Sequence, residues 1–148
     1  MPILRATTVE SIMIKPAFVD INDNIVQVAK MLLQTKKGCV FVTNHDKAVG
    51  IITDRDFQRY IVKEAGMISS TSTAKEFMIS PVITIRKNAS VEEADQLMHK
   101  EKIQRLGVIE KANPNIIIGL LDYNATHAEL ITKFAKSLIN REQYFKRE

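Results

Sequence analysis

Ile12-Met13-Ile14-Lys15-Pro16, near the start of the chain, shares its Met-x-x-Pro pattern with Phe77-Met78-Ile79-Ser80-Pro81 farther along. A second pair of segments, Val26-Gln27-Val28-Ala29 and Val91-Glu92-Glu93-Ala94, has the same offset, because both pairs lie 65 residues apart (81 − 16 and 94 − 29). Two pairs of similar segments at one constant offset indicate that the chain contains a duplicated unit.

Later matches between the two copies shift only where loops differ in length. Val42 matches Val108, and Gly50 matches Gly119. A unit of this size usually cannot bury its apolar surface alone, so we expect the two copies to pack on each other. The sequence therefore predicts two related halves rather than two independent domains.

The first copy predicts a strand, a helix, two strands and a second helix. Apolar residues at helical spacing define the first helix, which Asn22 or Asp23 opens and Gly38 closes. The second helix starts near Asp54 and ends near Gly66, a residue type suited to the position after a helix. The strands of this copy are predicted at 18–21, 39–43 and 49–52, with a turn at 44–47.

The second copy repeats this plan after a linker of serine and threonine. Ser90-Val91-Glu92-Glu93 has the pattern of a capping box and opens the first helix. Strands are predicted at 106–109 and 116–121, and Thr126-His127-Ala128-Glu129 is predicted as a second capping box that starts a long helix. The predicted fold is mixed α/β (α+β), with the order β-α-β-β-α in each copy.

Composition limits the possible classes of function. The chain has 148 residues, of which 45% are hydrophobic, but no stretch reaches the roughly 18 to 20 apolar residues of a membrane span. The first residues lack the pattern of a signal peptide, and one cysteine, Cys39, excludes an intrachain disulfide framework. These features predict a cytoplasmic protein that does not contact a membrane.

The charge balance is mildly basic. The chain has 21 Lys and Arg residues against 17 Asp and Glu residues, for a net charge of +4. The basic residues are interspersed with acidic ones, whereas a nucleic-acid interface is normally denser in positive charge. We therefore expect a small anionic ligand and not nucleic acid, and a nucleic-acid-binding regulatory module is kept as the alternative.

Thr53-Asp54-Arg55-Asp56 lies where a strand meets a helix, and it supports two interpretations. In the first, Thr-x-x-Asp is only a capping box, with Thr53 at the N-cap and Asp56 three residues later. In the second, the helix start favours an anion, the Asp56 carboxylate accepts hydrogen bonds from ribose hydroxyls, and Arg55 binds phosphate. These four residues alone leave both interpretations open.

Other residues do not form a recognisable reactive site. His45, His99 and His127 lack the spacing to Cys or carboxylates that metal ligands show, so we predict no metal site. Cys39 has no nucleophile signature around it. Because a glycine-rich phosphate loop and a nucleophile elbow are also missing, we predict no catalytic residue and no enzymatic activity, and a nucleotide-processing enzyme is the second alternative.

Together, the repeated patterns resemble a tandem pair of CBS domains, a Bateman module, in its stand-alone form. The shared marks are the Met-x-x-Pro segments at Met13 and Met78, the helical pairs Ala29–Leu33 and Ala94–Met98, and Gly-Ile-Ile-Thr-Asp-Arg-Asp at 50–56. The resemblance implies packing of the two sheets by pseudo-two-fold symmetry. It places CBS domain 1 at 8–66, a linker at 67–73, CBS domain 2 at 74–135 and a C-terminal helical extension at 136–148.

Members of this family bind adenosine-containing ligands in clefts between the two copies. The resemblance implies that Thr53 and Asp56 hold the ribose and that Arg55 and Arg105 bind phosphate. It implies that the remaining contacts come from Met78, Ile83, Ile103, Gln104, Gly38, Cys39 and Ile51. No cofactor is required, and the regulatory ligand that it favours is AMP, with ADP, ATP or S-adenosylmethionine as alternatives.

The second copy departs from the family pattern after its glycine. Asp122 stands in the place of Thr53, and Ala125 stands in the place of Asp56, so the ribose carboxylate is missing. Thr126 and Glu129 are expected to cap the helix one turn later. We therefore expect one nucleotide per chain.

The resemblance also implies a mode of action and an assembly. A nucleotide sensor acts by shifting the population of two conformations, and here it would control a regulated protein that the sequence does not identify. CBS pairs commonly dimerise through their helices, so we expect a homodimer. Two apolar helix faces are the candidates for this contact, one with Phe57, Tyr60 and Ile61 and one with Leu130, Ile131 and Phe134.

Overall fold

Residues 7–64, 67 and 69–146 are described in a computed structural model, with side chains up to residue 142. The elements along the chain are α1 (Val9–Ile12), β1 (Phe18–Asp20), α2 (Ile25–Thr35), β2 (Cys39–Asn44), β3 (Lys47–Thr53), α3 (Asp54–Lys63), α4 (Ala74–Phe77), β4 (Thr84–Arg86), α5 (Val91–Glu101), β5 (Arg105–Ile109), β6 (Gly119–Asp122) and α6 (Tyr123–Lys146). The mixed α/β class with the order β-α-β-β-α in each copy is confirmed, and each copy is preceded by a one-turn helix, α1 or α4, that the sequence did not predict.

Contacts divide the chain into two units, each built on one three-stranded sheet. The first, here called the β1–β3 unit, comprises Lys15–Ile83 and Ile109–Ile118. The second, the β4–β6 unit, comprises the residues up to Ile14, Thr84–Val108 and the residues from Gly119 onward. Each unit therefore contains the sheet of one copy together with the methionine and the isoleucine that begin the Met-x-x-Pro segment of the other copy.

The sheet of the β1–β3 unit has the order β1-β2-β3. Strand β1 runs parallel to β2, and β2 runs antiparallel to β3. The β2 residues Val40 and Val42 are fully buried and pack with Val28 of α2 and Phe77 of α4. The inner apolar face of α2 and the short helix α4 therefore share one core.

The sheet of the β4–β6 unit repeats this arrangement, with the order β4-β5-β6 and an antiparallel β5–β6 pair. Val108 lies opposite Gly119 in this pair, as Val42 lies opposite Gly50 in the first sheet. The residues that the sequence comparison matched thus occupy equivalent cross-strand positions. Equivalent register in both sheets is direct structural support for the duplication.

Each Met-x-x-Pro segment binds the free edge of the last strand in its unit. Ile79 exchanges two backbone hydrogen bonds of 2.9 Å with Ile51 of β3. In the other unit, Ile14 exchanges hydrogen bonds of 2.9 and 2.8 Å with Leu120 of β6. The segment thereby acts as a short extra strand and leaves less of the sheet edge unpaired.

The two matched glycines make room for the methionines of these segments. A Cβ added to Gly50 would lie 2.6 Å from Met78 Sδ, and one added to Gly119 would collide with Met13 Sδ. Any larger residue would push the segment away from the strand that it pairs with. This contact explains why Gly50, Gly119 and the two methionines recur together in the sequence.

Two predicted ends of α2 were wrong. The N-cap is Asn24, which forms a capping box with Gln27, whereas Asn22 and Asp23 bond to Asp20 in a local turn. The last helical residue is Thr35, and the C-cap is Lys36, which adopts a left-handed conformation two residues before Gly38. The predicted stop of α3 at Gly66 lies outside the described residues, and the last helical residue there is Lys63.

The last predicted strand was too long at its start. Ile116 donates its amide to the Asn113 carbonyl in a turn, and β6 begins only at Gly119. The apolar residues from Ile116 to Leu121, interrupted only by Gly119, suggested one continuous strand, but the turn uses the first of them. Among the described residues, no helix is both long and apolar enough to cross a membrane.

Gly50→Ala should lower the free energy of unfolding by about 1 to 3 kcal/mol, the usual cost of overpacking. The reason is that the new Cβ meets three atoms of Met78 at 2.6 to 3.0 Å. Urea unfolding followed by circular dichroism measures the change. In a Met78→Ala background the same substitution should cost clearly less, and equal costs in both backgrounds would show that Met78 is not the obstacle.

Candidate functional site

The Thr53–Asp56 box closes the start of α3 with reciprocal hydrogen bonds. The Thr53 hydroxyl accepts from the Asp56 amide at 3.1 Å, and Asp56 Oδ2 accepts from the Thr53 amide at 3.1 Å and from its hydroxyl at 2.8 Å. The capping interpretation is therefore confirmed. The described residues donate hydrogen bonds to Oδ2 and supply no donor to Oδ1, so one carboxylate oxygen can still accept hydrogen bonds.

Gly38 and Cys39 lie beside this helix start. The Gly38 carbonyl accepts a 2.8 Å hydrogen bond from the Asp54 amide, and the Gly38 φ of 74° lets the chain turn toward the helix. Cys39 lies opposite Thr53 in the β2–β3 ladder and is 1% exposed. The structure thus brings Gly38, Cys39, Thr53 and Asp56 together at one end of the sheet.

Arg55 is exposed on the first turn of the same helix, and its position leaves the guanidinium accessible to a ligand. Ile51 lies two residues before Thr53 on β3 and pairs with Ile79, which places the half-buried Met78 next to Gly50 on this strand. Ile83 is also half-buried in the β1–β3 unit.

The three other predicted contacts belong to the β4–β6 unit. The Gln104 carbonyl accepts a 2.9 Å hydrogen bond from the Tyr123 amide at the start of α6, and Arg105 lies opposite Asp122 in the β5–β6 ladder. Gln104 and Arg105 are therefore the second-copy counterparts of Gly38 and Cys39. Ile103 is half-buried just before them.

The predicted capping box at Thr126 and Glu129 was wrong. Helix α6 begins at Tyr123, and Asp122 Oδ1 accepts a 2.7 Å hydrogen bond from the Ala125 amide. Thr126 is fully buried inside the first turn and donates its hydroxyl to the Asp122 carbonyl at 2.9 Å. An aspartate caps a helix as well as a threonine does, so the second copy keeps the cap and lacks only the carboxylate at the position of Asp56.

The Arg105 side chain lies at this second helix start without a full set of partners. Its Nη1 reaches the Gln104 carbonyl at 3.4 Å, and its buried Nε has no hydrogen-bond acceptor among the described residues. Beside it, the Tyr123 ring stacks on His127 with centroids 5.4 Å apart and meets His99 edge-on at 6.0 Å. This aromatic cluster has no signature in the sequence, because its rings come from two helices and show no common spacing.

Metal ligation has no support in the part of the chain that the structure describes. Among those residues, no group of three or more histidine, cysteine, aspartate or glutamate side chains lies close enough to hold an ion. His99 instead bonds to the Asp95 carbonyl, with 2.8 Å between its Nδ1 and the oxygen.

Comparison with known proteins gives a family match that covers most of the chain. A family model described as CBS domain matches residues 9–63 and 74–124. The inosine-5′-monophosphate dehydrogenase of Thermoplasma acidophilum is 26% identical over 130 residues. That alignment covers 87% of this chain but only 24% of the dehydrogenase, so the chain spans about a quarter of the length of this relative.

Solved structures show the same fold. The chain is similar to a CBS domain pair in complex with 5′-methylthioadenosine and S-adenosyl-L-methionine, with a TM-score of 0.75, 24% identity, and coverage of 86% of this chain and 98% of that one. It is also similar to a CBS domain protein from Pyrobaculum aerophilum complexed with AMP, with a TM-score of 0.72, 20% identity, and coverage of 85% and 99%. At these identities the likeness concerns the fold alone.

Asp122→Ala should lower the free energy of unfolding by about 1 kcal/mol, because the Ala125 amide loses its N-cap acceptor. Asp122→Asn should cost little, since asparagine caps equally well. Urea unfolding of the three proteins tests this, with Asn124→Ala as the control at an exposed neighbouring position. A similar loss in Asn124→Ala and Asp122→Ala would contradict the assignment of the cap.

Proposed function

The chain belongs to the CBS-domain family, with two domains in tandem, and from this premise we propose that it is a regulatory module that binds an adenine nucleotide and has no catalytic activity of its own. The observation that carries the proposal is the start of α3. There, Asp56 uses one oxygen for the helix cap and keeps the other available, next to the Thr53 hydroxyl and the exposed Arg55.

This helix start suits the ribose phosphate part of a nucleotide. A carboxylate oxygen accepts hydrogen bonds from ribose hydroxyls, and an arginine donates charge-assisted hydrogen bonds to phosphate. The positive end of the α3 dipole favours the same negative charge. Because the cap already fixes the Asp56 side chain, little rotamer entropy is lost when a ligand binds to it.

Met78 and Ile51 supply the apolar surface that a purine needs. Met78 is half-buried against Gly50, and the backbone bonds between Ile51 and Ile79 fix its position. A flexible, polarizable thioether packs well on an aromatic face. Ile83, Ile103, Gln104 and Arg105 remain predictions of the family resemblance, and so do the roles of Gly38 and Cys39 as walls of the site.

The choice of ligand rests on what related proteins contain. One similar structure holds AMP, and another holds 5′-methylthioadenosine and S-adenosyl-L-methionine, so an adenosine group is common to both. We propose AMP as the ligand of this chain, since Arg55 favours a phosphate, and ADP, ATP and S-adenosylmethionine are the alternatives. The second helix start, with Ala125 in place of Asp56, is proposed not to bind a ribose.

Regulation follows if the nucleotide binds one conformation of the chain more tightly than another. A difference in affinity between two conformations shifts their populations by the same free energy, and a regulated partner then meets a different surface. The cytoplasm is the proposed location of this sensor. The regulated partner is a protein of unknown identity, and the assembly is proposed to be a homodimer.

Asp56→Asn should weaken AMP binding by about tenfold or more, because a charge-assisted hydrogen bond is worth roughly 1.5 to 3 kcal/mol. Its stability should change little, since asparagine is a capping-competent side chain. Isothermal titration calorimetry measures both affinity and stoichiometry, which should be one nucleotide per chain. Asp54→Asn is the matched control, because it removes the same charge from an exposed position in the same helical turn. Normal binding by Asp56→Asn, or two equal sites per chain, would contradict the proposal.

Adenosine should bind clearly more weakly than AMP, because it lacks the phosphate that Arg55 is proposed to bind. Arg55→Ala should reduce this difference, whereas Arg59→Ala, one turn later on the same helix, should leave it unchanged. Competition of both ligands against a fluorescent AMP analogue gives the ratio of affinities for each variant. Equal affinities for AMP and adenosine in the unmodified protein would contradict the role proposed for Arg55.

A further inference from the structure

Tyr60 lies one turn along α3 from Asp56, on the face of the helix that packs against α4. The sequence predicted that Phe57 and Tyr60 belong to an exposed apolar face, and this prediction was wrong. Both rings contact Phe77 of α4, with ring centroids 5.9 and 5.0 Å apart. Because Phe77 is only 5% exposed, the second turn of α3 and the single turn of α4 share one buried contact.

The Tyr60 hydroxyl adds polar contacts to this packing. It donates a 3.1 Å hydrogen bond to Glu76 Oε2 of α4, and it lies 3.5 Å from Ser72 Oγ in the segment before α4. Ser72 is buried, and its carbonyl accepts a 2.8 Å hydrogen bond from the Ile25 amide at the start of α2. Tyr60 therefore contacts α4 through both its ring and its hydroxyl, next to a segment that is itself fixed to α2.

The residue that follows α4 is Met78, the proposed purine contact. Met78 is the C-cap of α4, and its amide donates a 2.9 Å hydrogen bond to the carbonyl of Ala74, the first residue of that helix. On the other side, Ile79 exchanges two backbone hydrogen bonds of 2.9 Å with Ile51 of β3. Met78 is therefore held from two directions, by β3 through Ile79 and by α3 through α4.

Helix α3 thus takes part in the proposed site in two ways. Its first turn carries Asp56 and Arg55, and its second turn holds the short helix from which Met78 extends. Because a capped helix is a rigid element, the position of Met78 relative to Asp56 depends on the contact between Tyr60 and α4. Groups that are fixed before a ligand arrives lose less conformational entropy when it binds.

We propose that Tyr60 is a positioning residue, which fixes Met78 relative to Asp56 so that one nucleotide contacts both. Because Met78 and Asp56 are the proposed nucleotide contacts, this role rests on the proposed function. Tyr60 acts without touching the ligand: its ring packs on Phe77, and its hydroxyl binds Glu76. Loss of either contact weakens nucleotide binding, although the cap at Asp56 stays intact.

Substitution of Tyr60 tests this role by titration calorimetry with AMP. Tyr60→Phe removes only the hydroxyl and should weaken binding by about two- to fivefold. Tyr60→Ala also removes the ring and should weaken binding by about tenfold. Gln58→Ala, at an exposed position on the same helix, is the control and should bind AMP normally. Normal binding by a Tyr60→Ala variant with unchanged circular dichroism would overturn the proposal.

A pair of substitutions at Glu76 separates the hydrogen bond from the charge. Glu76→Gln and Glu76→Ala remove the same negative charge, but only glutamine keeps an acceptor for the Tyr60 hydroxyl. Glu76→Gln should therefore bind AMP like the unmodified protein, whereas Glu76→Ala should lose as much affinity as Tyr60→Phe. Equal affinities of the two Glu76 variants would show that the hydrogen bond has no effect on binding and would contradict the role of the hydroxyl.

A double-mutant cycle with Met78 distinguishes positioning from a general loosening of the fold. In a Met78→Ala background the purine contact is missing, so Tyr60→Ala should cause little further loss of AMP affinity. Losses that multiply independently would show that Tyr60 does not act through Met78. A failure of AMP to bind the unmodified protein would overturn the proposed function and this role with it, whereas AMP binding that the Tyr60 variants leave unchanged would overturn this role alone.

Discussion

The contact between a methionine and a glycine supports the rest of each unit. Met78 lies against Gly50, and Met13 lies against Gly119, in both cases where a larger residue would collide. Each contact lets the neighbouring isoleucine exchange two backbone hydrogen bonds with the last strand of the sheet. The same segment brings a short helix onto the core, as Phe77 shows, so the edge of the sheet and its apolar face are completed together.

This arrangement also determines what surrounds the start of α3. Ile51, two residues before the Thr53 cap, is held by Ile79, and Met78 lies next to it on Gly50. The apolar side chains and the capping carboxylate are thus positioned by one strand, although they come from different copies. A site built on a sheet and a capped helix start is more rigid than one built on a loop, which favours a defined ligand geometry.

The starts of α3 and α6 share the same kind of N-cap but differ in the side chains that could bind a ligand. Both copies cap the helix from the residue that ends the strand, Thr53 in the first and Asp122 in the second. Only the first adds a carboxylate three residues later. The Asp56 side chain therefore contributes to the cap and to the proposed ribose contact, whereas the Ala125 side chain contributes to neither. Helix capping is thus preserved in both copies, and the capacity to bind a ribose is proposed for one.

Local patterns in the sequence were sufficient for much of the fold and part of the site. The constant offset between the copies predicted the repeated order of elements, and Thr-x-x-Asp predicted the cap that Thr53 and Asp56 form. The same kind of pattern failed at Thr126, because a second plausible cap residue, Asp122, precedes it and a buried position inside the first turn also suits threonine. It failed at Asn22 and Asp23 because several polar residues compete to start α2.

By itself, the sequence determined that the chain is duplicated, that each copy is β-α-β-β-α, and that Gly50 and Gly119 recur with Met13 and Met78. Only the tertiary structure decided that each methionine packs on the glycine of the other copy, that Gln104 and Arg105 occupy the places of Gly38 and Cys39, and that Phe57 and Tyr60 are covered by Phe77. The reason is the distance along the sequence over which each interaction acts. Periodicity and capping depend on residues within one or two turns, whereas a free strand edge or an open helix face is filled by whichever distant segment packs there.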